Sequence, residues 1–156
     1  MPRRKRAEKK EIPPDPEYNS VLVTMFINNI VKRGKKSLAE KIFYSALNII
    51  KERTKKDPLE LFETAVNNVK PTLEVRSRRI GGANYQVPTE VSPKKQIALS
   101  IRWILAAARN RSEHSMSERL ASELIAASHK EGAAFKKKED THRMAEANRA
   151  FAHFKW

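Results

Sequence analysis

The side chains best suited to chemistry in this sequence lie in the stretch RSRRIGGANYQVP, at positions 76–88. Arg76, Arg78 and Arg79 come before a pair of glycines, and Tyr85 follows it. A guanidinium presents a planar fork of donors that fits phosphate oxygens. A tyrosine ring offers a flat surface on which a base can stack. The pattern therefore predicts a binding site for a phosphate-bearing polymer.

A β-hairpin is the element that must position these side chains. Val, Thr, Ile and Tyr residues flank Gly81-Gly82 across residues 72–91, which is typical of two strands joined by a two-residue turn. An isolated hairpin is marginally stable in water, so we expect this one to pack on the rest of the protein or on a partner.

The hairpin register decides which side chains share a face. With a two-residue turn, Arg78 lies opposite Tyr85. Two positions further from the turn, Arg76 lies opposite Val87. Because side chains alternate along a strand, these four share one face and Arg79 lies on the other. A three-residue turn would change the pairing. Arginine on both faces favours entry into a phosphate-lined groove, and the alternative is a charged edge that prevents aggregation.

The overall charge supports a polyanionic partner. Lys and Arg number 32 against 18 Asp and Glu, a formal net charge of +14. Such an excess favours binding to nucleic acid first and to an anionic membrane surface second. The absence of cysteine excludes disulfides and thiolate metal sites. No stretch reaches the ~18 apolar residues of a spanning helix, and the basic start lacks the apolar core of a secretory signal. We expect a soluble, cytosolic protein.

The N-terminus and the remainder of the chain differ in composition. Six of the first ten residues are Lys or Arg, and IPPDP follows them. Such a segment repels itself and buries little, so residues 1–17 are predicted to form an extended basic arm that orders on a partner. Residues 18–156 are predicted to form one domain. The hydrophobic content of the whole chain is 40%, which suffices for a core.

Helical periodicity dominates this domain. The segment SVLVTMFINNIV predicts a buried first helix that ends near Gly34. Ser37 and Glu40 form a capping-box pattern for a second helix. The predicted buried positions are Leu22, Met25, Phe26, Asn29 and Ile30 in the first helix, and Leu38, Ile42, Ala46, Ile49 and Ile50 in the second.

Four further helical segments follow the same logic. Asp57-Pro58 caps a third helix, and Pro71 ends it. Ser92-Pro93 with Gln96 opens a long fourth helix after the hairpin, and Ser115 with Glu118 opens a fifth. The predicted buried positions are Leu61, Phe62, Ala65, Val66 and Val69 in the third helix, Ile97, Ile101, Ile104, Leu105 and Ala108 in the fourth, and Leu120, Leu124 and Ile125 in the fifth. Gly132 separates the fifth helix from a last helical segment.

Other chemistries fit the sequence poorly. RGKKS at positions 33–37 lacks the earlier glycine and preceding strand of a nucleotide-binding loop. The four histidines are widely spaced, so we expect no metal site. No nucleophile elbow or oxyanion hole accompanies His142 and Asp140, so we expect no catalysis, cofactor or small-molecule substrate. A DNA-binding protein stays a serious alternative, although no helix-turn-helix pattern stands out.

Long stretches of the sequence resemble one known family. VRSRRIGGANYQVPTEV, the ending KKKEDTHRMAEANRAFAHFKW, PRRK near the start, GKKSLAEKIFYSAL and ALSIRWILAAARNR occur in the order expected of bacterial small-subunit ribosomal protein seven. The resemblance extends over the whole chain. It implies a mainly α, single-domain bundle of about six helices with one protruding two-stranded antiparallel β-ribbon.

The resemblance also implies a function. Members of the family bind small-subunit ribosomal RNA directly, nucleate assembly of the 3′ major domain that becomes the head, and lie near the exit-site transfer RNA and the messenger RNA path. They neighbour other head and platform proteins. Because duplex RNA has a deep, narrow major groove, recognition of junction shape and backbone is expected.

The RNA-binding surface that the resemblance implies comprises residues from five parts of the chain. They are Arg3, Arg4, Lys5 and Arg6 in the arm; Lys32, Arg33, Lys35 and Lys36 in the loop between the first two helices; Arg76, Arg78, Arg79, Gly81, Gly82 and Tyr85 in the ribbon; Lys94, Lys95, Arg109, Arg111 and Met116 at the ends of the fourth helix and the start of the fifth; and Lys136, Lys137, Lys138, His142 and Arg143 in the last helix. The three lysines 136–138 also fit a merely solvated helix face. Trp156 fits both docking on the body and stacking on a partner.

Overall fold

Six α-helices, one two-stranded antiparallel sheet and a terminal 3-10 helix make up a computed structural model that describes residues 11–154. In chain order they are α1 (Val21–Ile30), α2 (Lys36–Thr54), α3 (Pro58–Val69), β1 (Leu73–Ile80), β2 (Ala83–Glu90), α4 (Pro93–Arg109), α5 (Met116–Ser128), α6 (Gly132–Ala147) and the 3-10 helix (Arg149–Phe154). The mainly α fold with one ribbon, β1 and β2, is confirmed. Within the described part of the chain, no helix is long and apolar enough to cross a membrane.

The centre of the bundle is an aromatic cluster contributed by three helices. Phe26 of α1, Phe43 of α2 and Phe62 of α3 are fully buried. The ring centroid of Phe62 lies 5.1 Å from that of Phe26 and 5.3 Å from that of Phe43, both in edge-to-face geometry. Edge-to-face pairs add about 0.5–1.5 kcal/mol each to the burial of their surface. Helix α5 packs on α2, α3 and α4 and closes this core with Leu120 and Leu124.

Two of the predicted helix starts are confirmed in atomic detail. The Asp57 side chain accepts a hydrogen bond from the Leu59 N–H at the start of α3. Ser115 and Glu118 form a reciprocal capping box at the start of α5. At α4 Ser92 occupies the N-cap position without a side-chain hydrogen bond, and Gln96 instead donates to the Val91 carbonyl at 3.0 Å.

The predicted start of α2 is wrong by two residues, because the capping-box pattern places Ser37 at the N-cap. The helix begins at Lys36, with Lys35 at the N-cap and no side-chain cap. Positive φ angles at Arg33 and Gly34, of 54° and 74°, turn the chain tightly enough for the helix to begin before Ser37. Glu40 lies 3.7 Å from the ammonium of Lys36 rather than completing a capping box.

The buried face of α2 also differs from the prediction. Ala39, Phe43 and Leu47 are buried, whereas Leu38 is 51% exposed. Ala46 and Ile50 are buried as predicted. Since α2 has apolar residues at adjacent positions, periodicity alone allowed a face rotated by one residue. A similar shift occurs in α1, where Val23 and Ile27 join Phe26 and Ile30 in the core, and Asn29 is exposed.

An internal ion pair fixes the junction of α4, α5 and α6. Glu123 of α5 is 0% exposed. Its Oε2 accepts from Arg111 Nη1 at 2.7 Å, and its Oε1 accepts from the Ala134 N–H at 3.0 Å. Ala134 lies in the first turn of α6, so Glu123 satisfies one of the N–H groups that a helix start leaves open.

Candidate nucleic-acid interface

The ribbon has the predicted register and is firmly attached at its base. Arg78 pairs with Tyr85 and Arg76 with Val87. Gly81 and Gly82 have φ of 57° and 90°, as a turn with positive φ at both central residues requires.

Two contacts attach the ribbon and the residue just before it to the C-terminal part of the chain, and one ribbon side chain is fully buried. Val87 is fully buried. The Tyr85 ring centroid lies 5.4 Å from that of Phe151 in the 3-10 helix. The Thr72 N–H donates to His142 Nε2 of α6 at 3.0 Å. The expected packing of the hairpin on the body is confirmed, and it is the face with Tyr85 that packs.

Glu74 holds two of the predicted RNA-binding cations in place. Its Oε1 accepts from Arg76 Nε at 2.5 Å, and its Oε2 lies 2.5 Å from Lys95 Nζ at the start of α4. Burial alone would raise the pKa of Glu74, but hydrogen bonds and charge from Lys95 and Arg76 outweigh burial and lower that pKa. The carboxylate thus sets the positions of Arg76 and Lys95, whose side chains stay 50% and 42% exposed.

The outer half of the ribbon is exposed to solvent. Arg78, Arg79, Gly81 and Gly82 are all exposed, as is Asn84, the partner of Arg79 in the register. A Cβ atom added at either glycine would meet nothing within 4 Å. The glycines therefore serve the turn, and the tip offers an unobstructed approach to a large partner.

A second cationic region is a groove of about 530 Å³ formed where helices α1, α2, α4 and α5 meet. We call it the loop groove. It unites the predicted residues Lys32, Arg33 and Lys35 with Arg109 and Met116. The three loop residues and the pair Arg109 and Met116 are about 80 positions apart in the sequence, so the fold creates this cluster. Lys36, the fourth predicted residue of the loop, is exposed and lies next to it.

Two residues of the loop groove were missed by sequence reasoning. Arg119 lines it, and its Nε donates to the Glu113 carbonyl at 2.5 Å. Leu38 lines it with an exposed apolar side chain. Arg119 lies one turn after Met116 on α5, and that spacing is a signal that could have found it. Leu38 had been assigned to the core, so its exposure required the structure. The groove can thus combine phosphate binding with an apolar contact surface.

Some of the predicted RNA-binding residues already have partners inside the protein. The Arg111 guanidinium pairs with Glu123 and with Glu113, whose Oε1 lies 3.0 Å from Arg111 Nε. Lys138 Nζ donates to the Asn68 carbonyl at 2.7 Å and lies over the Phe135 ring. Burial lowers the pKa of Lys138. Both side chains therefore stabilise the fold, whatever contact they make with RNA.

The remaining predicted residues are distributed over two helices. Lys136, Lys137 and Arg143 are exposed on α6, and Lys94 is exposed at the start of α4. His142, a residue of α6, is half-buried on the side of that helix that faces the ribbon. Burial, and secondarily the charge of Lys138, lower its pKa. Its Nε2 accepts a hydrogen bond, so the neutral ring is the form that holds the ribbon. Arg3, Arg4, Lys5, Arg6 and Trp156 lie outside the described residues.

The described residues show how the interface could act chemically. Over positions 11–154, no group of three or more His, Asp or Glu side chains is placed to hold a metal ion. What the structure presents is fixed positive charge on two supports, the ribbon and the loop groove. Such an arrangement suits binding to a folded polyanion through its backbone, as expected of an RNA-binding protein that recognises shape.

Comparison with known proteins agrees with this class. The family described as ribosomal protein S7p/S5e matches residues 2–149. A small ribosomal subunit protein uS7 from Thermotoga maritima is 60% identical over 154 residues, covering 99% of each chain. The uS7 proteins of Thermomicrobium roseum and Caldanaerobacter subterraneus are 55% and 59% identical over 156 residues, covering 100% of each chain. The chain belongs to the S7p/S5e family of ribosomal proteins, and the resemblance noted in its sequence is confirmed.

Proposed function

We propose that the protein binds small-subunit ribosomal RNA through the ribbon and the loop groove, and that it holds RNA helices together at a junction. It is a structural constituent of the small ribosomal subunit in the cytoplasm, and its partners are ribosomal RNA and other ribosomal proteins. The observation that carries the binding mode is the convergence of Lys32, Arg33, Lys35 and Arg109 on one groove beside the partly buried Met116. Positive charge on a rigid scaffold neutralises phosphates that otherwise repel one another.

Within this role we assign a finer position to the protein. It nucleates folding of the 3′ major domain, which becomes the head, and the ribbon tip with Gly81 and Gly82 approaches the exit-site transfer RNA and the messenger RNA path. Other proteins of the head and platform are its neighbours. The exposed tip supports this assignment, because a narrow arginine-bearing ribbon can reach a second RNA without disturbing the bundle. Binding and positioning require no bond to be made or broken, so the proposed role needs no catalytic residue.

The domain organisation in this proposal separates the arm, residues 1–17, from the helical domain, residues 18–156. The six Lys and Arg residues among the first ten supply additional charge for RNA. In this proposal Arg3, Arg4, Lys5 and Arg6 bind RNA in addition to the α1–α2 loop. The exposed α6 residues Lys136, Lys137 and Arg143 supply further positive charge.

Competition binding tests the proposed function. The labelled ligand is a multihelix fragment of the small-subunit 3′ major domain, and the competitors are duplex DNA and simple duplex RNA of equal phosphate content. We expect the unlabelled form of the same junction RNA to displace the labelled fragment far better than either duplex does. We also expect log K to fall with log salt concentration by about 0.9 for each phosphate neutralised on a duplex-like site. Preference for duplex DNA, or a flat salt dependence, would refute the proposal.

A further inference from the structure

Arg119 of α5 is a partly buried cation that lines the loop groove and keeps most of its hydrogen-bond donors unused. Its Nε donates to the Glu113 carbonyl at 2.5 Å. Among the residues that the structure describes, its two terminal nitrogens form no hydrogen bond and no ion pair. The terminal nitrogens of a guanidinium form the fork that binds two oxygens of one phosphate. Because its Nε is already held, Arg119 presents a positioned fork to a ligand in the groove.

Arg111, in the loop between α4 and α5, has a different environment. Its Nε lies 3.0 Å from a carboxylate oxygen of Glu113, and its Nη1 lies 2.7 Å from one of the fully buried Glu123. Two carboxylates therefore flank one guanidinium, so the cluster as a whole is acidic. Since like charges repel, this environment disfavours a direct contact between Arg111 and a phosphate.

The two arginines are connected through the α4–α5 loop, which touches α5 at two places. Arg111 of the loop pairs with Glu123 of α5. One helical turn earlier on α5, Arg119 donates to the main-chain carbonyl of Glu113. The side chain of Glu113 pairs with Arg111 and so joins the two places. The position of the Glu113 carbonyl, and with it that of the Arg119 guanidinium, therefore depends on Arg111.

Arg111 also keeps Glu123 from attracting Arg119. Arg119 and Glu123 are four residues apart on α5, which is the spacing at which opposite charges on a helix meet. A buried carboxylate without a partner is costly, so in the absence of Arg111 the carboxylate of Glu123 would draw the Arg119 side chain toward itself. Because Arg111 occupies Glu123, Arg119 stays available to the loop groove.

We propose that Arg119 binds a phosphate of ribosomal RNA in the loop groove, and that Arg111 and Glu113 are positioning residues that hold its guanidinium there. Arg119 acts beside the groove cations Lys35 and Arg109. The inference rests on the proposed function and deepens it, because it adds an RNA-binding residue and changes the role of Arg111 from contact with RNA to support of Arg119.

Glu113→Ala, tested in the full chain with the junction RNA described above, separates positioning from charge. The substitution removes an acidic side chain, and the added net positive charge by itself favours RNA binding. The inference predicts the opposite, a loss of affinity of roughly threefold or more, because the fork of Arg119 is no longer held in place. The slope of log K against log salt concentration should also become shallower by up to about 1, although no cation has been removed.

Two variants with the same net charge as Glu113→Ala are the controls. Glu113→Gln keeps a side-chain oxygen that can accept from Arg111, so it should retain most of the parent's affinity. Glu63→Ala removes an exposed carboxylate of α3 that pairs with no cation in the described part of the chain. It should bind RNA at least as tightly as the parent does.

Arg119→Ala tests the direct contact, and we expect it to weaken binding by roughly tenfold, as the loss of a charge-assisted contact does. Arg111→Ala should also weaken binding in the parent. In the Arg119→Ala background, neither Glu113→Ala nor Arg111→Ala should cause a further loss, since the residue that they position is absent. Circular dichroism shows whether Arg111→Ala, which leaves Glu123 unpaired, is folded. If it is not, the Glu113→Ala result decides.

Three results would overturn the inference and leave the proposed function standing. They are unchanged or tighter binding by Glu113→Ala, parent-like affinity of Arg119→Ala, and a loss from Arg111→Ala that is equal with and without Arg119. The last result would show that Arg111 binds RNA itself. Failure of the parent chain to bind junction RNA would instead refute the proposed function.

Discussion

Glu74 in strand β1 and Lys95 at the start of α4 are joined by an ion pair of 2.5 Å that ties the ribbon to the helical body. Arg76 shares the same carboxylate. One acidic residue thus organises two cations of the candidate interface, and it sets how the ribbon leaves the body. The ribbon is consequently a supported element with a free tip, which suits a contact that must keep its position in a large assembly.

Replacing Glu74 by Gln tests this support. Arg76 and Lys95 are about half exposed, so solvent screening limits the loss of unfolding free energy to about 1 kcal/mol at neutral pH. The folded pKa of Glu74 lies below its ordinary value of 4.5. Its contribution is therefore fully present above that value and disappears as pH falls through the folded pKa. Urea unfolding of parent and variant at several pH values should show that the difference between their free energies of unfolding shrinks in acid. Glu90→Gln, a substitution at an exposed position of the ribbon, is the control.

Gly132→Ala should destabilise the protein more than Gly34→Ala. Both glycines have φ in the left-handed region, 87° and 74°, where an L side chain costs about 1–2 kcal/mol. At Gly132 the new Cβ would also lie 3.0 Å from Glu123 Oε1 and 3.1 Å from Ala126 Cβ, whereas at Gly34 nothing lies within 4 Å. Thermal unfolding of the two variants measures the difference. Equal losses would show that the Glu123 junction relaxes without cost.

The sequence predicted those features that depend on local patterns. The Gly81-Gly82 turn, the register of Arg78 with Tyr85 and the cap at Ser115 follow from short-range turn and capping chemistry, and all are confirmed. The burial of α3 residues 61, 62, 65, 66 and 69 follows from a clean helical period.

Features that depend on packing between distant residues were not predicted. Leu38 is exposed because α2 presents Ala39 and Phe43 to the aromatic cluster, and adjacent apolar residues made both faces plausible. The partners of Glu123, which are Arg111 and Ala134, lie 12 and 11 positions away, beyond the reach of local patterns. The loop groove likewise arises where four helix ends meet, and the family resemblance, rather than spacing, indicated its residues.

Stability should fall as pH decreases toward and below the ordinary histidine value of 6.5, and His142 should account for part of this fall. Burial and the nearby Lys138 lower the folded pKa of His142. Between the two pKa values the unfolded chain takes up a proton that the folded chain refuses, so stability is lost there as pH falls. Chemical unfolding from pH 8 to pH 5 should show that the free energy of unfolding depends less on pH in His142→Gln than in the parent. His114→Gln, at an exposed position, should retain the parent's dependence; identical slopes for the parent and His142→Gln would refute the assignment.

Removing the ribbon arginines should weaken RNA binding with little change in thermal stability. For Arg76, Arg78 and Arg79 all replaced by alanine, we expect an affinity loss on the order of tenfold or more and a salt slope shallower by about 2 to 3. The matched control removes three exposed lysines at the far end of α2 and after it, Lys51, Lys55 and Lys56. If the ribbon variant unfolds instead, the arginines are primarily structural. If the control loses as much affinity, net charge rather than the ribbon is responsible.

Crosslink mapping of the protein bound to a small-subunit 3′ major-domain fragment tests the central claim most directly. Mass spectrometry of the crosslinked peptides should place nucleotides on the α1–α2 loop, on the segment containing Arg109 and Met116, and on the ribbon. Crosslinks confined to other surfaces, such as the α2–α3 turn around Lys56 and Asp57, would contradict the account.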